Sequence, residues 1–143
     1  MKQESVTVRE VSSARIVDLR HRILRAGLPR STAAFSGDED ATSIHLAAFD
    51  GEELIGCVTL HCKAKGNYQL RGMAVDTDRQ RGGVGRMLLA EAERLALANG
   101  AAEIWANCRT PAVPFYEKFG WKIVSQEFLI ETAGPHFKMA KQL

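Results

Sequence analysis

Apolar and polar residues alternate at the start of the chain. Val6 and Val8, extended by Val11, stand among Thr7, Arg9 and Glu10, the period of a half-buried strand. The period then lengthens. Ile16, Leu19, Ile23 and Leu24 recur at helical spacing, with Ser12-Ser13 placed to cap the start, Gly27 to end the helix and Pro29 beyond it. The polar run RSTAAFSGDEDATS, residues 30–43, reads as a loop or short irregular helix, of a length that tends to be functional or mobile. Two strand-like runs follow, IHLAAF (44–49) and ELIGCVTLHC (53–62), joined at the tight-turn pair Asp50-Gly51. A second turn, Lys63 to Asn67, leads into YQLRGMAV (68–75), so three successive strands should form an antiparallel meander. Gly72 interrupts the third, marking a bulge or a close approach to the backbone.

After Val84 the apolar positions Met87, Leu88, Ala92, Leu95 and Ala98 line one helical face, and the helix should end near Asn99-Gly100. The short apolar run EIWANC (103–108) completes a strand–helix–strand crossover, which predicts that its two strands are parallel. Thr110-Pro111 opens a short helix, PAVPFYEKFG (111–120). A strand from Trp121 to Phe128 follows, and the turn around Gly134-Pro135 returns the chain for a last strand, HFKMAK (136–141). No repeat, low-complexity tract or linker interrupts this order, so a single domain over residues 1–143 is expected. The fold class is α/β (α+β): a mixed, mostly antiparallel central sheet of about six to seven strands with helices on both faces.

Composition narrows the function classes. A chain of 143 residues can bury about two-thirds of its unfolded surface in one core. Nineteen basic against seventeen acidic side chains leave +2, too balanced for nucleic-acid binding by charge alone. No apolar run approaches the ~20 residues of a membrane span. The opening MKQESVTVRE is too polar for a signal peptide, so a cytoplasmic protein without a membrane partner is expected. Cys57, Cys62 and Cys108 are odd in number and lack C-x-x-C spacing, which predicts reduced, mostly buried thiols.

The candidate chemistry lies between Tyr68 and Asn99. Gly82, Gly83 and Gly85 sit where the long helix begins, and Arg79, Arg81 and Arg86 surround the same turn. A helix start offers unpaired N–H groups and the positive dipole end, and glycines let an anion approach the backbone, so the outline is a phosphate cradle. A P-loop requires a Gly-Lys pair, which does not occur. The dinucleotide fingerprint fails because Leu88 stands where Gly83-Val84-Gly85 should be followed by a small residue, and Glu103 opens the next strand rather than closing it. What remains is Gln80-Arg81-Gly82-Gly83-Val84-Gly85, a Q/R-x-x-G-x-G/A string between strand and helix.

With this string the sequence resembles the GNAT superfamily of N-acetyltransferases. A second stretch, NCRTPAVPFYEKFGW (107–121), is similar to that family's other signature, an aromatic pair on a short helix before a Gly-aromatic step. The resemblance covers everything after Glu53 and fits the order of elements before it. It implies acetyl-CoA as co-substrate and no metal. It also implies that Met73, Ala74 and Val75 grip the pantetheine arm, and that Gln80, Arg81, Gly82, Gly83, Val84, Gly85 and Arg86 hold the pyrophosphate. Asn107 matches a position that contacts the cofactor arm, and Tyr116 matches the general acid. The implied reaction is direct attack of a primary amine on the acetyl thioester in a ternary complex. The alternative is an acetyl-CoA-binding sensor or structural module without transferase activity.

The chemistry needs a donor for the oxyanion, for which a backbone N–H at Met73 or Ala74 serves, and an acid for the departing thiolate. Tyrosine, with an ordinary pKa of about 10, stays protonated at neutral pH and can supply that proton. The general base is open among His45, His61, His136, Asp38, Glu39 and Asp40, while His21 lies on the polar side of the first helix. A Cys/His nucleophile is a rival, but neighbours in a strand point to opposite faces, so His61 cannot activate Cys62. No Cys/His cluster has metal-ligand spacing. The acceptor, a small-molecule or peptide amine, should approach over the first helix and the loop after it. There Asp38, Glu39 and Asp40 either attract a cationic amine or form a solvated face. The chain is expected to act as a monomer or homodimer.

Overall fold

The computed structural model describes residues 5–143. The polar opening read as lacking a signal peptide falls partly on residues 1–4, outside the described residues. The first strand, β1 (Val6–Val11), pairs antiparallel with β2 (Ile44–Asp50), and β2 pairs antiparallel with β3 (Glu53–Ala64). β3 pairs antiparallel with β4 (Asn67–Val75), completing the predicted meander. The long helix α2 (Val84–Ala98) carries the chain over to β5 (Glu103–Arg109), which lies parallel to β4. β8 (Gly134–Gln142) then pairs antiparallel with β5 along its whole length. The described sheet has eight strands, one more than the upper expectation, because the last third of the chain is divided more finely than its sequence pattern suggests.

Residues 121–128 were expected as one strand. The chain forms instead β6 (Lys122–Ile123) and β7 (Phe128–Ile130), both on β8. Ser125 explains the break: its Oγ accepts the hydrogen bond of Lys138 N–H at 2.9 Å, so a side chain takes the place of the ladder carbonyl.

Two helices cover opposite faces of the sheet. On one, Leu88, Leu89, Ala92 and Ala96 of α2 pack on Leu46, Ala48, Val58 and Leu60. Ala96 and Leu89 are buried there, whereas Ala98, expected on that face, is exposed. Gly56 lets the helix come this close, since a Cβ at that position would lie 2.9 Å from Val84 Cγ1 and 3.0 Å from Leu88 Cδ1. On the other face, Ile16 and Leu19 cover Ala47, Phe49, Cys57 and Ala74. The helix there, α1 (Val17–Leu24), is entered through a single tight turn at Ser13–Arg15. Ser12 makes no side-chain cap, and Ser13 donates to Glu39 instead, so the expected capping role is not filled. A short helix, α3 (Val113–Lys118), follows β5 and packs its Val113 and Tyr116 on the α2 side of the core.

Candidate active site

The cleft opens where two parallel strands part. β4 and β5 pair only over Asn67–Gln69 and Glu103–Trp105. Beyond that point β5 stays with β8, and β4 stays with β3 through a bulge: Arg71 faces Thr59 and Ala74 faces Cys57, so Gly72 and Met73 together oppose Val58. Gly72 adopts φ +69°, and a Cβ on it would meet Arg20 Nε at 2.9 Å and Phe35 Cε2 at 3.1 Å. The bulge therefore requires glycine twice over. Asp76 N–H donates to Ile55 O at 2.8 Å. Alternation then turns the N–H of Ala74 towards β3 and that of Val75 to the open side. Met73 and Ala74, the two residues considered for an oxyanion donor, both line the cleft.

The glycine-rich turn closes one end of that cleft. Gly83, in the left-handed region at φ +86°, is the N-cap of α2, and no side chain caps the helix. The first intrahelical bond runs from Met87 N–H to Gly83 O, which leaves the N–H groups of Val84, Gly85 and Arg86 without helical partners. Arg81 takes φ +70°, and Gln80 Nε2 donates to Val75 O at 3.1 Å, tying the turn back to β4. Met73, Val75, Gln80, Arg81, Gly83 and Arg86 line a cleft of about 560 Å³, with Phe115 and Phe119 of α3 as its wall. Gly82 and Val84 support it from behind, Gly82 donating to Arg79 O at 3.3 Å and Val84 buried against β3. Arg79, counted with the charges of this turn, is tied to Asp50 at 2.7 Å and to Glu53 at 3.5 Å and acts as a brace.

A second cavity, about 370 Å³, joins the first at Met73, Ala112 and Phe115. Tyr116 lines it from α3 and Asn107 from β5. Tyr116 is only 7% exposed, with its ring edge-on to Phe115 at 5.1 Å and Trp121 at 5.3 Å between centroids. Among the described residues its hydroxyl makes no hydrogen bond, and the residue lines the cavity. Burial, and then the neighbouring Cys108, push its pKa above the ordinary tyrosine value. The phenol is a proton donor at every physiological pH.

The histidines separate by their partners. His45 bonds Thr59 Oγ1 and Asp38 O, both at 2.8 Å, so both ring nitrogens are occupied. His61 sits 3.3 Å from Asp40, and His21 Nε2 donates to Leu28 O at 2.7 Å. His136 lines the second cavity. Its Nδ1 donates to Gly134 O at 2.8 Å, which leaves the Nε2 lone pair as an acceptor, and its ring stacks on Phe128.

The acidic loop is neither a solvated face nor a lure for cations at Asp38. That carboxylate is buried and holds the fully buried Arg20 at 2.6 and 3.1 Å. Arg20 also donates to Thr59 Oγ1 at 2.7 Å and to Ala33 O at 3.1 Å, pinning the loop to the sheet. Burial alone would raise the Asp38 pKa, but Arg20 and the Phe35 N–H hold it below the ordinary value. Sequence reasoning missed this pair, and it missed Arg25, Arg71 and Arg109, which line the second cavity. Cys57 and Cys108 are buried and their thiols are pushed up to about 12, which disfavours a thiolate nucleophile.

The fold has counterparts in known proteins. The profile of the Acetyltransferase (GNAT) family matches residues 14–121. The uncharacterised N-acetyltransferase YitI of Bacillus subtilis is 29% identical over 142 residues, covering 95% of each chain. ElaA of Escherichia coli superimposes with a TM-score of 0.82 at 14% identity, over 96% of this chain and 99% of that one. A GNAT family acetyltransferase from Elizabethkingia anophelis, solved with acetyl-CoA bound, gives 0.76 at 14% identity, over 98% and 99%. The two structures show a shared fold, and the profile shows more: the chain belongs to the acetyltransferase (GNAT) family, as an acetyl-CoA-dependent acyltransferase.

Proposed function

We propose that the chain transfers the acetyl group of acetyl-CoA to the primary amine of a small molecule or peptide, by direct attack with both substrates bound. The observation that carries this reading is the meeting of the two cavities at Met73, beside a buried tyrosine whose hydroxyl has no hydrogen-bond partner among the described residues. The residues fit the co-substrate. Gly83 brings backbone close to an anion, the N–H groups of Val84, Gly85 and Arg86 lack helical partners, and Arg81 and Arg86 are exposed beside them. Met73 and Val75 present an unpaired strand edge to an extended arm, while Ala74 keeps that edge in register with β3.

Acetyl-CoA supplies the acetyl group as an activated thioester. A backbone N–H of the bulge, at Met73 or Ala74, would donate to the negative charge that develops on the acetyl oxygen. His136 Nε2 accepts the amine proton, directly or through one water, with its tautomer fixed by Gly134 O. Tyr116 holds the proton that the departing thiolate needs, and Asn107 borders the same space. We propose further that the reaction takes place in the cytoplasm.

Release of free thiol from acetyl-CoA, followed across polyamines, amino acids, amino sugars and peptides, tests the reading. Acceptor-dependent release with equimolar N-acetylated product is the expected result. Tight acetyl-CoA binding with no release for any amine would leave a sensor in place of an enzyme.

A further inference from the structure

The charged side chains lining the second cavity are arginines. Arg25 enters it just after α1, Arg71 from β4 and Arg109 from the end of β5; no Asp or Glu among the described residues lines it, and Asp38 and Asp40 act on Arg71 from outside the lining. Arg25 Nη1 donates to Leu24 O at 3.1 Å, and Arg109 Nη2 donates to the same carbonyl at 3.0 Å, so two guanidiniums converge on one point. Arg71 donates to Ser36 O, and its Nε is buried with no partner. None of these three is within ion-pair distance of a carboxylate among the described residues, whereas Arg20, behind them, has Asp38. The Phe35 ring lies beneath Arg20 at 4.0 Å, Arg25 at 5.2 Å and Arg71 at 5.9 Å.

Like charges gathered in a partly buried place repel one another, and burial adds to the cost. Arg25 registers this: burial, then Arg109, then Arg20 lower its pKa. A ligand anion removes the repulsion and receives bidentate, charge-assisted hydrogen bonds from planar guanidinium groups. A polycationic amine meets the opposite sign.

We infer that the acceptor amine also carries an anionic group, a carboxylate or a phosphate, held by Arg25 and Arg109 with Arg71 beside them. This rests on the proposed transfer reaction and names its acceptor class. The acceptor's amine is then directed towards Tyr116 and His136, across the same cavity. The anion excludes spermidine-like acceptors and favours amino acids, short peptides in free-acid form, or amino-sugar phosphates.

Thiol release is measured with matched acceptors: L-amino acids and dipeptides against their amides, glucosamine 6-phosphate against glucosamine, and spermidine alone. At least one anionic acceptor should show kcat/KM about tenfold or more above its neutral partner. The carboxylate and phosphate arms show which anion the site takes. Arg25→Gln and Arg109→Gln should each raise the KM for that acceptor about tenfold while the KM for acetyl-CoA stays the same. Equal or faster turnover of amides, glucosamine or spermidine overturns the inference. If no amine is turned over, the transfer reading fails, and calorimetry on CoA-loaded protein decides the anion site separately. Binding of N-acetyl-L-amino acids or N-acetylglucosamine 6-phosphate, but not of their neutral counterparts, upholds it. Equal binding, or none, overturns it.

Discussion

Replacing Tyr116 by phenylalanine separates chemistry from packing. The ring contacts to Phe115 and Trp121 involve the aromatic face and edge, and phenylalanine keeps them. The hydroxyl donates to no group among the described residues, so its loss breaks no hydrogen bond within them, and the residue lines the second cavity. The expected change in folding stability is within about 1 kcal/mol, or roughly 2–4 °C in melting temperature for a chain of this size. Catalysis should respond differently. A positioned acid is worth about 10²–10⁴ in rate, which is about 2.7–5.4 kcal/mol of transition-state stabilisation. Tyr116→Phe should therefore lower kcat by that factor, with acetyl-CoA affinity by calorimetry and the melting temperature near those of the parent. The pH profile adds a second reading. The raised pKa keeps the phenol protonated beyond its ordinary value of about 10, so no descending limb appears below pH 10. The ascending limb belongs to the proton acceptor and the amine. A variant with kcat within threefold of the parent refutes the assignment and leaves Tyr116 as core. A descending limb near neutrality in the parent enzyme refutes the proton-donor argument.

Two other substitutions probe the frame of the site. Asp38→Asn leaves Arg20 buried with its charge unbalanced and should cost about 3–5 kcal/mol in denaturant unfolding, with a loss under about 1 kcal/mol counting against the pair. Because the folded pKa of Asp38 is depressed, its contribution is complete above the unfolded value of about 3.9 and fades as pH falls through the lower folded value. Acid unfolding of the parent should accordingly steepen only below pH 4, and an Asp38-dependent loss already at pH 6 would contradict it. Gly56→Ala places a Cβ 2.9 Å from Val84 Cγ1, at the first turn of α2. Overpacking of this kind costs about 1–3 kcal/mol and should push the helix start off the sheet, raising the KM for acetyl-CoA more than it lowers kcat. An unchanged KM would show that the cradle does not depend on this contact.

What the sequence revealed and what it hid follow from the range of the interactions. The meander, the crossover and the glycine-rich helix start are local or periodic features, so YQLRGMAV, QRGGVG and the α2 stripe could be read directly. Gly72 marked the bulge because a glycine inside a strand is costly without a reason. The failures are of another kind. Arg20 and Asp38 look in sequence like one charge on a helix and one on a loop, and only the folded chain shows that both are buried. Arg25, Arg71 and Arg109 come from three separate elements and show no motif. Residues 121–128 have strand composition, yet one serine side chain accepts a ladder bond and divides the strand. Ser12-Ser13 fits a capping pattern, but a loop distant in sequence, with Glu39, offered Ser13 a partner instead.

The bulge links the two halves of the site. Its glycine leaves room for Arg20 Nε and the Phe35 ring, and Arg20 in turn holds Asp38, so the loop proposed to face the acceptor is seated on the strand proposed to hold the co-substrate. A loop that opened alone would uncover Arg20 and separate it from Asp38, at the cost of an unbalanced buried charge. Phe35, on that loop, lines the second cavity and lies against the guanidiniums that line it. In the proposed reaction, acceptor recognition and the bulge at Gly72 and Met73 would therefore be coupled through one glycine, one arginine and one phenylalanine. Changes in the loop that shift Phe35 should alter kcat together with the acceptor KM, while the KM for acetyl-CoA, whose anionic end is proposed to lie at Gln80 to Arg86, stays the same.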